Sequence, residues 1–235
     1  MQLKYYRTES VCGGVTRIRC AAGELCYLVE GTARAVLIDT GSGYRGLDET
    51  VQAITSRPVD VILTHGHRDH AGGIVQFERV YADMADRELL EMLDDDEFRR
   101  GYPVSLKPKV FKELGAEEFL RTHEPELIPI TDGDVMDLGD DELEIWETPG
   151  HTAGSVCILD HRRRLLFVGD TVIDCALLVF EQSCSVETYR KSLERIRLRA
   201  AEYDAMYCAH LDGIVPPGGI DSLLECCGDI LAGRD

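Results

Sequence analysis

The stretch His65-Gly66-His67-Arg68-Asp69-His70 is the most informative part of this chain, because it places three histidines and an aspartate within six residues. It follows a short apolar run at 59–63, so these side chains lie on a loop at the end of a predicted strand. Imidazole and carboxylate groups are ligands for zinc and neighbouring transition metals, and four exceed what one catalytic metal with an open position needs. The stretch therefore predicts a site for two metal ions.

Three more metal-competent side chains lie at the ends of predicted strands further along the chain. They are His151 after Thr-Pro-Gly, Asp170 after Val-Gly and His210 after Cys-Ala. Polar residues at strand ends are where α/β folds carry their chemistry. Each alone would more often be a cap or a core polar residue, but with the histidine stretch they complete a candidate metal centre. His123 and His161 lie in polar surroundings and are predicted to be surface residues.

Short apolar runs and helical patterns alternate along most of the chain. The predicted strands cover residues 25–29, 34–39, 59–63, 143–148, 155–159, 164–168 and 204–208, and the predicted helices cover 44–55 and 186–200. This order is typical of an α/β (α+β) domain whose polar loops collect at one edge.

The region from about residue 84 to 129 interrupts this order. Helical patterns at 86–93 and 109–120 flank a segment punctuated by Gly101-Tyr102-Pro103 and Lys107-Pro108. A long insertion between site-bearing strands is either a packed excursion or a lid over the active site, and both readings stay open. No linker indicates a second domain, so we predict a single domain over residues 1–235.

The charge and cysteine content of the chain indicate which binding partners and which cellular location to expect. The chain has 25 Lys and Arg against 43 Asp and Glu, a formal net charge of −18, which disfavours nucleic acids and anionic membranes and favours a small-molecule substrate. The basic run His161-Arg162-Arg163-Arg164 is a candidate anion-binding patch, but its place in a hairpin between two strands predicts a solvated turn. Nine cysteines without a Cys-x-x-Cys pair, no apolar leader and no apolar run of membrane-spanning length predict a cytoplasmic protein.

The motifs together resemble the metallo-β-lactamase-fold hydrolase superfamily. They are His-x-His-x-Asp-His, Pro-Gly-His-Thr-x-Gly, Gly-Asp-Thr and a late histidine, in that order, and the resemblance runs from Asp39 to His210. It implies a four-layer αββα sandwich with the metals at one edge. The late motif departs from the usual Pro-Gly-His-Gly, since Leu211 follows His210, so we expect a differently shaped loop there.

The resemblance also implies a ligand set. The first metal would be held by His65, His67 and His151, and the second by Asp69, His70 and His210. Asp170 would bridge the two ions, and Asp39 would support the histidine loop without binding metal. The cofactors would be two Zn²⁺, with iron or manganese as alternatives. Two such ions can share a hydroxide that attacks a carbonyl, with Asp69 or Asp170 passing a proton to the leaving group.

Within the superfamily the ligand set is most similar to the glyoxalase II group of hydroxyacylglutathione hydrolases. That group binds glutathione through basic and tyrosine residues after the bridging aspartate and through a C-terminal helical region. Here residues 173–181 are apolar to acidic, so those anchors are missing or relocated. Quorum-quenching lactonases carry a tyrosine soon after the bridging aspartate. This chain has Ile173 there, and the helical spacing of Tyr189 predicts core packing instead.

The sequence therefore predicts a dinuclear zinc hydrolase of a small ester, thioester or lactone. Two alternatives stay open: a small-molecule phosphodiesterase on the same site, and an iron-dependent oxidoreductase similar to the sulfur dioxygenases. A β-lactamase is disfavoured, because those enzymes are exported and lack the bridging aspartate. The oligomeric state is left open, and a homodimer is compatible with the sequence.

Overall fold

The computed structural model describes residues 5–93 and 123–234, and within these ranges two β-sheets pack face to face. The first sheet contains, in spatial order, β1 (Tyr6–Cys12), β2 (Val15–Cys20), β3 (Leu25–Glu30), β4 (Ala35–Ile38), β5 (Val59–Ile62), β6 (Arg79–Ala82) and β7 (Glu126–Pro129). The second contains β12 (Ala205–Cys208), β11 (Leu165–Gly169), β10 (Val156–Asp160), β9 (Glu142–Glu147) and β8 (Val135–Asp137). The helices are α1 (Leu47–Ile54), α2 (Arg68–Ala71), α3 (Arg87–Met92), α4 (Val186–Leu198) and α5 (Gly219–Leu231).

Strand direction explains why the polar loops meet. Strands β4, β5, β6 and β7 pair in parallel, so their carboxyl ends lie at one edge of the first sheet. In the second sheet β9, β10 and β11 form an antiparallel meander, and β12 pairs in parallel with β11 after the α4 crossover. The carboxyl ends of β9, β11 and β12 therefore lie at one edge as well.

Three apolar layers hold the sheets and helices together. One lies between the sheets and includes Val36, Ile62 and Phe167. A second packs α1 and α3 on the outer face of the first sheet, and a third packs α4 and α5 on the outer face of the second. The arrangement is helix, sheet, sheet, helix, so the predicted αββα sandwich is confirmed.

The predicted strands and helices outside the 84–129 region are all found, with shifted ends. Helix α1 begins at Leu47 rather than at Tyr44, because Gly46 before it has φ 86° and ends the preceding loop. Strands β1, β2, β6, β7 and β8 and helix α5 were not predicted. Of the 84–129 region, α3 falls on the first predicted helix, and β7 extends the first sheet. The second predicted helix, at 109–120, lies outside the described residues, and the lid stays a prediction.

One member of the basic turn at 161–164, Arg163, is largely buried, whereas the side chains of its neighbours in the turn are 42–52% exposed. The side chain of Arg163 is only 10% exposed, and it pairs with the fully buried carboxylates of Asp141 and Asp160. Its other nitrogens donate to the carbonyls of Gly13 and Glu30, both at 2.8 Å. The prediction of a solvated turn is wrong at this position, because four acceptors from different segments converge on one guanidinium.

The state of the cysteines and the character of the helices bear on where the protein is found. All nine cysteines are free thiols, and five are buried. Among the described residues, none of the helices has the length and apolar character to cross a membrane.

Candidate metal centre

Five strand ends deliver the candidate residues to one edge of the sandwich. Asp39 follows β4, the stretch 65–70 follows β5, His151 follows β9, Asp170 follows β11 and His210 follows β12. The stretch 65–70 continues into α2, which starts at Arg68, so the loop and the first helical turn place their side chains on the same side. All seven residues predicted as ligands are brought together there, whereas His123 and His161 are exposed elsewhere, as predicted.

The first group consists of His65, His67 and His151. The Nε2 of His65 lies 3.1 Å from the Nδ1 of His67, which lies 2.9 Å from the Nε2 of His151. His65 and His151 are buried, and His67 is half-buried. Three imidazole nitrogens therefore face a common point from two different loops.

The second group consists of Asp69, His70 and His210, and Asp170 links it to the first. The Oδ2 of Asp69 lies 3.9 Å from the Nε2 of His70 and 3.4 Å from the Nε2 of His210. The carboxylate of Asp170 lies 3.6 Å from His70, 3.3 Å from His210 and 3.7 Å from His151. Its position between the two groups is the one that a bridging ligand requires.

Hydrogen bonds behind the site orient two of the histidines. Asp39 accepts from the backbone N–H and the hydroxyl of Thr64, both at 2.8 Å, and from the Nδ1 of His70 at 2.8 Å. Because the Thr64 hydroxyl gives its proton to Asp39, it accepts from the Nδ1 of His65 at 3.1 Å. Both imidazoles then turn Nε2 toward the centre, and Nε2 in its unprotonated form is the atom that would bind a metal.

His151 is oriented by a different partner. Its Nδ1 donates to the carbonyl of Leu177 at 2.8 Å, so its Nε2 also carries a free lone pair. The hydroxyl of Ser183 donates to the His151 carbonyl at 2.9 Å. The segment after Asp170 thus holds the third histidine of the first group.

Asp86 joins the two loops of the first group, and no motif in the sequence pointed to it. It is 3% exposed and accepts from the N–H of Gly66 at 2.7 Å, the N–H of Gly154 at 2.7 Å and the hydroxyl of Thr152 at 2.6 Å. A Cβ at Gly154 would lie 2.8 Å from the backbone nitrogen of Asp86, so only glycine allows this approach. Asp86 is therefore a positioning residue for the loops that carry His65, His67 and His151.

The two groups have opposite electrostatic character. Burial lowers the pKa of His65 and, together with His151, lowers the pKa of His67 to about 4. Burial also acts on His70 and His210, but nearby carboxylates outweigh it: they raise the pKa of His70 well above its usual range and that of His210 to about 9. The first group offers neutral nitrogen ligands, and the second is a buried negative pocket that favours positive charge.

The donor atoms fit divalent metal ions. The Nε2 of His70 and the Oδ1 of Asp170 are buried and have no hydrogen-bond partner among the described residues. Buried polar atoms are almost always paired, so such atoms aimed at a common centre indicate a missing ligand. Imidazole and carboxylate donors in groups of three leave open positions, as a catalytic metal requires.

A cavity of about 320 Å³ opens at the two groups. One side is formed by His67, Asp69, His151, Asp170 and His210, and the other has an apolar wall of Ile173, Leu177, Phe180 and Leu211. The ring of Phe180 lies against His67, with centroids 4.8 Å apart. Tyr189 does not line this cavity: it is 1% exposed in the core, as its spacing predicted.

Comparisons with known proteins agree with this architecture. The sequence profile of the Metallo-beta-lactamase superfamily matches residues 22–210. Acyl-coenzyme A thioesterase MBLAC2 of Bos taurus is 32% identical over 191 residues, which cover 72% of this chain and 66% of that protein. Hydroxyacylglutathione hydrolase GloC of Haemophilus influenzae is 25% identical over 154 residues, covering 63% of this chain and 66% of that one. The chain thus spans just under two thirds of the length of these relatives.

The fold itself is also found among solved structures. A metallo-beta-lactamase from Pontibacter korlensis superposes with a TM-score of 0.68 at 18% identity, over 95% of this chain and 99% of that one. Profile, relatives and fold agree with the resemblance that the histidine motifs indicated. The chain belongs to the metallo-β-lactamase superfamily.

Proposed function

We propose that this protein hydrolyses thioesters with an apolar acyl group, using two zinc ions. The observation that carries the proposal is that seven ligand candidates meet in two groups of three joined by Asp170, directly beside an apolar wall. The names of the relatives support the thioester bond, since both act on thioesters of a small thiol carrier. A reducing, cytoplasmic location is part of the proposal and is supported by nine free cysteines.

Each ion would be held by one of the two groups. The first would bind His65, His67 and His151, the second would bind Asp69, His70 and His210, and Asp170 would contact both. When bound, such ions lower the pKa of water to about 7 and polarise a carbonyl oxygen as Lewis acids. The donor set suits zinc and also accepts iron or manganese.

The two aspartates of the site are suited to different tasks. The side chain of Asp170 is 4% exposed and lies between the groups, which favours a fixed structural charge. The side chain of Asp69 is 33% exposed and lies at the cavity. We assign to Asp69 the transfer of a proton to the departing sulfur, through the carboxylate oxygen that would not bind the ion, because this side chain combines a position beside the reacting groups with access to solvent.

The apolar wall supports an acyl group rather than a glutathione group. Leu177 and Phe180 stand where the glyoxalase II pattern would place basic and tyrosine anchors, and neither can pair with a carboxylate. Phe180 is 44% exposed, so it presents apolar surface to solvent beside the candidate metal centre. Covering it with an acyl chain would remove apolar surface from water and exclude water from the cavity.

A substrate panel tests the proposal. Zinc-, manganese- and iron-loaded protein is assayed with acyl thioesters of increasing chain length, and with the matching oxygen esters, lactones, phosphodiesters and a cephalosporin. We expect metal-dependent release of free thiol, faster for medium or long acyl chains than for acetyl, and about two metal ions per chain by elemental analysis. Turnover of phosphodiesters alone would overturn the acyl-hydrolase proposal, and oxygen uptake with a persulfide would favour the iron oxidoreductase.

A further inference from the structure

A cluster of three arginines lies beside the metal centre of this strongly acidic chain. Arg7 on β1 and Arg17 and Arg19 on β2 line a shallow cavity of about 380 Å³, with Thr8 and Glu9 completing its wall. The cluster adjoins the loop after His210, because Arg19 donates to the carbonyl of Leu211 at 3.0 Å. In a chain with a net charge of −18, three cations against one carboxylate are a marked local reversal of charge.

The pairing of β1 with β2 sets two of these cations opposite each other. Arg7 is the direct cross-strand partner of Arg19, and Glu9 is the partner of Arg17, two residues along on the same face. Glu9 pairs with Arg17 at 2.5 Å. Within residues 5–93 and 123–234, no carboxylate lies within 4.0 Å of Arg7 or Arg19. Like charges directly opposite in a sheet are destabilising, and a bound anion would remove that cost.

Two of the arginines have a structural task that leaves donors unused. Leu211 has φ 57°, a left-handed conformation that is rare for a bulky side chain, and it occupies the position where the superfamily pattern has glycine. Arg17 donates to the next carbonyl, that of Asp212, at 2.5 Å, and so helps Arg19 to hold this loop. The Nε of Arg17 is nevertheless buried without an acceptor among the described residues. Arg7 is exposed, and among the described residues it makes no side-chain hydrogen bond that would hold a loop.

We propose that this arginine cluster binds phosphate groups on the thiol part of the substrate. The substrate class would then be an acyl thioester whose leaving thiol is phosphorylated, which rests on the proposed function and extends it. Leu211 belongs to the wall of the metal cavity and also contacts Arg19, so the two cavities are neighbours along one loop. Guanidinium groups bind phosphate through paired N–H donors, and a local basic cluster would offset the repulsion of a polyanion by the rest of the chain.

The two ends of such a substrate would lie on chemically opposite surfaces. The acyl chain would cover Leu177 and Phe180, and the phosphorylated thiol would extend past Leu211 to Arg7 and Arg19. Hydrolysis adds one water: the carbon–sulfur bond breaks, a carbon–oxygen bond forms, and the products are a carboxylic acid and a free thiol that takes up one proton. No electron transfer is involved, and no further reactant is needed.

Binding of the phosphate part can be measured without any reaction. Adenosine 3′,5′-bisphosphate is titrated calorimetrically into the zinc-loaded wild type and into Arg7→Gln, Arg19→Gln and Arg57→Gln. Arg7→Gln is the sharpest variant, because it removes an exposed charge that has no ion-pair or side-chain hydrogen-bond partner among residues 5–93 and 123–234, so we expect it to fold normally. Arg57→Gln is the matched control, because Arg57 is an arginine paired with Glu30 far from the cluster. We expect the bisphosphate to bind at least tenfold more weakly to Arg7→Gln and to Arg19→Gln than to the wild type. The Arg57→Gln control should bind it as tightly as the wild type does. Binding to the wild type should weaken as the salt concentration rises.

Kinetics with two thiol carriers connect the cluster to the substrate. The same acyl group is supplied as its coenzyme A thioester and as its N-acetylcysteamine thioester, which has no phosphate. We expect Arg7→Gln to raise the ratio of the two KM values, coenzyme A over N-acetylcysteamine, at least tenfold above the wild-type ratio. A kcat effect shared by both thioesters would instead indicate a general structural disturbance.

The outcomes separate this inference from the proposed function. Equal KM values for the two thioesters in the wild type, or a KM ratio unmoved by Arg7→Gln and Arg19→Gln, would overturn the arginine assignment and leave the thioesterase proposal intact. Arginine-dependent binding of the bisphosphate without hydrolysis of any thioester would overturn the proposed function, and the assignment of the phosphates to a leaving thiol with it.

Discussion

Two clusters of buried charge lie at opposite ends of β11, and they differ in how their charges are satisfied. Before the strand, Arg163 lies between the buried carboxylates of Asp141 and Asp160, and backbone carbonyls take its remaining donors. After the strand, Asp170 lies among histidines with one carboxylate oxygen buried and unpaired. One cluster is complete within the protein, and the other is complete only with something bound.

This difference separates a structural role from a functional one more clearly than burial or residue type does. Strand ends and turns bring together the residues of both clusters, and both contain buried aspartates. Asp141 and Asp160 are 6% and 0% exposed, and Asp170 is 5% exposed. Leaving a buried polar atom without a hydrogen-bond partner costs free energy, and a ligand bound at the second cluster would remove that cost. Substitutions in the two clusters should therefore affect different measurements.

The largest effect on folding is expected for Arg163→Met. The methionine fills similar volume, but it leaves Asp141 and Asp160 buried without a cation, which costs about 3–5 kcal/mol of unfolding free energy. We expect the metal content of the folded fraction to stay unchanged. Urea unfolding followed by circular dichroism measures the stability, and elemental analysis measures the metal.

Arg162→Met is the control for this prediction, since Arg162 is one residue away and pairs with Asp140 at the surface, so little change is expected. The penalty at Arg163 should also depend on pH. Burial already raises the pKa of Asp160 in the folded protein, and loss of Arg163 raises it further. A raised folded pKa favours folding at low pH, so the deficit should shrink as pH falls from 7 toward 5. A deficit that is constant over this range would contradict the buried-charge explanation.

Asp170→Asn is expected to produce the reverse pattern. The amide keeps the volume but removes the negative charge between the two groups, so repulsion between the ions rises. We expect a normally folded protein that retains close to one metal per chain and loses hydrolysis by a factor on the order of 10² or more. Metal content by elemental analysis and turnover of the best thioester are the two measurements.

The matched control is Asp174→Asn, which removes the same charge from the exposed rim of the same cavity and should change turnover little. Two metals per chain and near-normal turnover in the Asp170 variant would refute the bridging assignment. Loss of stability comparable to that of Arg163→Met would instead erase the distinction between the two clusters.

Asp86→Ala tests whether the two loops that carry His65, His67 and His151 need the hydrogen bonds of Asp86, here called the clamp, to bind metal. Three donors, on Gly66, Thr152 and Gly154, lose their acceptor, so the loops of the first group are less well ordered before metal binds. Substituting groups that orient metal ligands usually costs about 10–100-fold in metal affinity, and we expect at least the lower end. Competition with a chelator measures the affinity.

Asp83→Ala is the control for the clamp, because Asp83 lies three residues earlier and its carboxylate accepts from the backbone N–H of Ala85 and from no other donor in the described part of the chain. Its metal affinity should equal that of the wild type. An Asp86 variant with unchanged metal affinity would show that the two loops hold their histidines without the clamp.

The strands and the metal ligands could be predicted because both leave a pattern within a short continuous stretch of sequence. The run 59–63 is apolar except for Asp60, and the histidine stretch is dense enough to stand out in six residues. Strand β1 was missed because Tyr6 is its only buried side chain, so its sequence lacks a periodic apolar face. Strand β7 is a half-buried edge strand with equally little pattern.

Asp86 was overlooked and Arg163 was misread, because their roles depend on distant segments. An aspartate at the start of a helical pattern is usually a cap, and three consecutive arginines at a hairpin are usually solvated. The partners of Asp86 lie 20 and about 66–68 residues away, and those of Arg163 include a carbonyl 150 residues away. Only the assembled sandwich brings such partners together.

The smallest effect is expected for Tyr189→Phe, which tests whether the buried tyrosine on α4 takes part in the reaction. Its ring packs against Gly150, the residue before His151, and its hydroxyl donates to the carbonyl of Thr171 at 2.7 Å, away from the cavity. Phenylalanine keeps the ring contact and loses one buried hydrogen bond, so we expect about 1 kcal/mol lower unfolding free energy and turnover within about threefold of wild type. A tenfold fall in turnover at unchanged metal content would mean that the hydroxyl reaches the substrate, as the tyrosine of the lactonase pattern would.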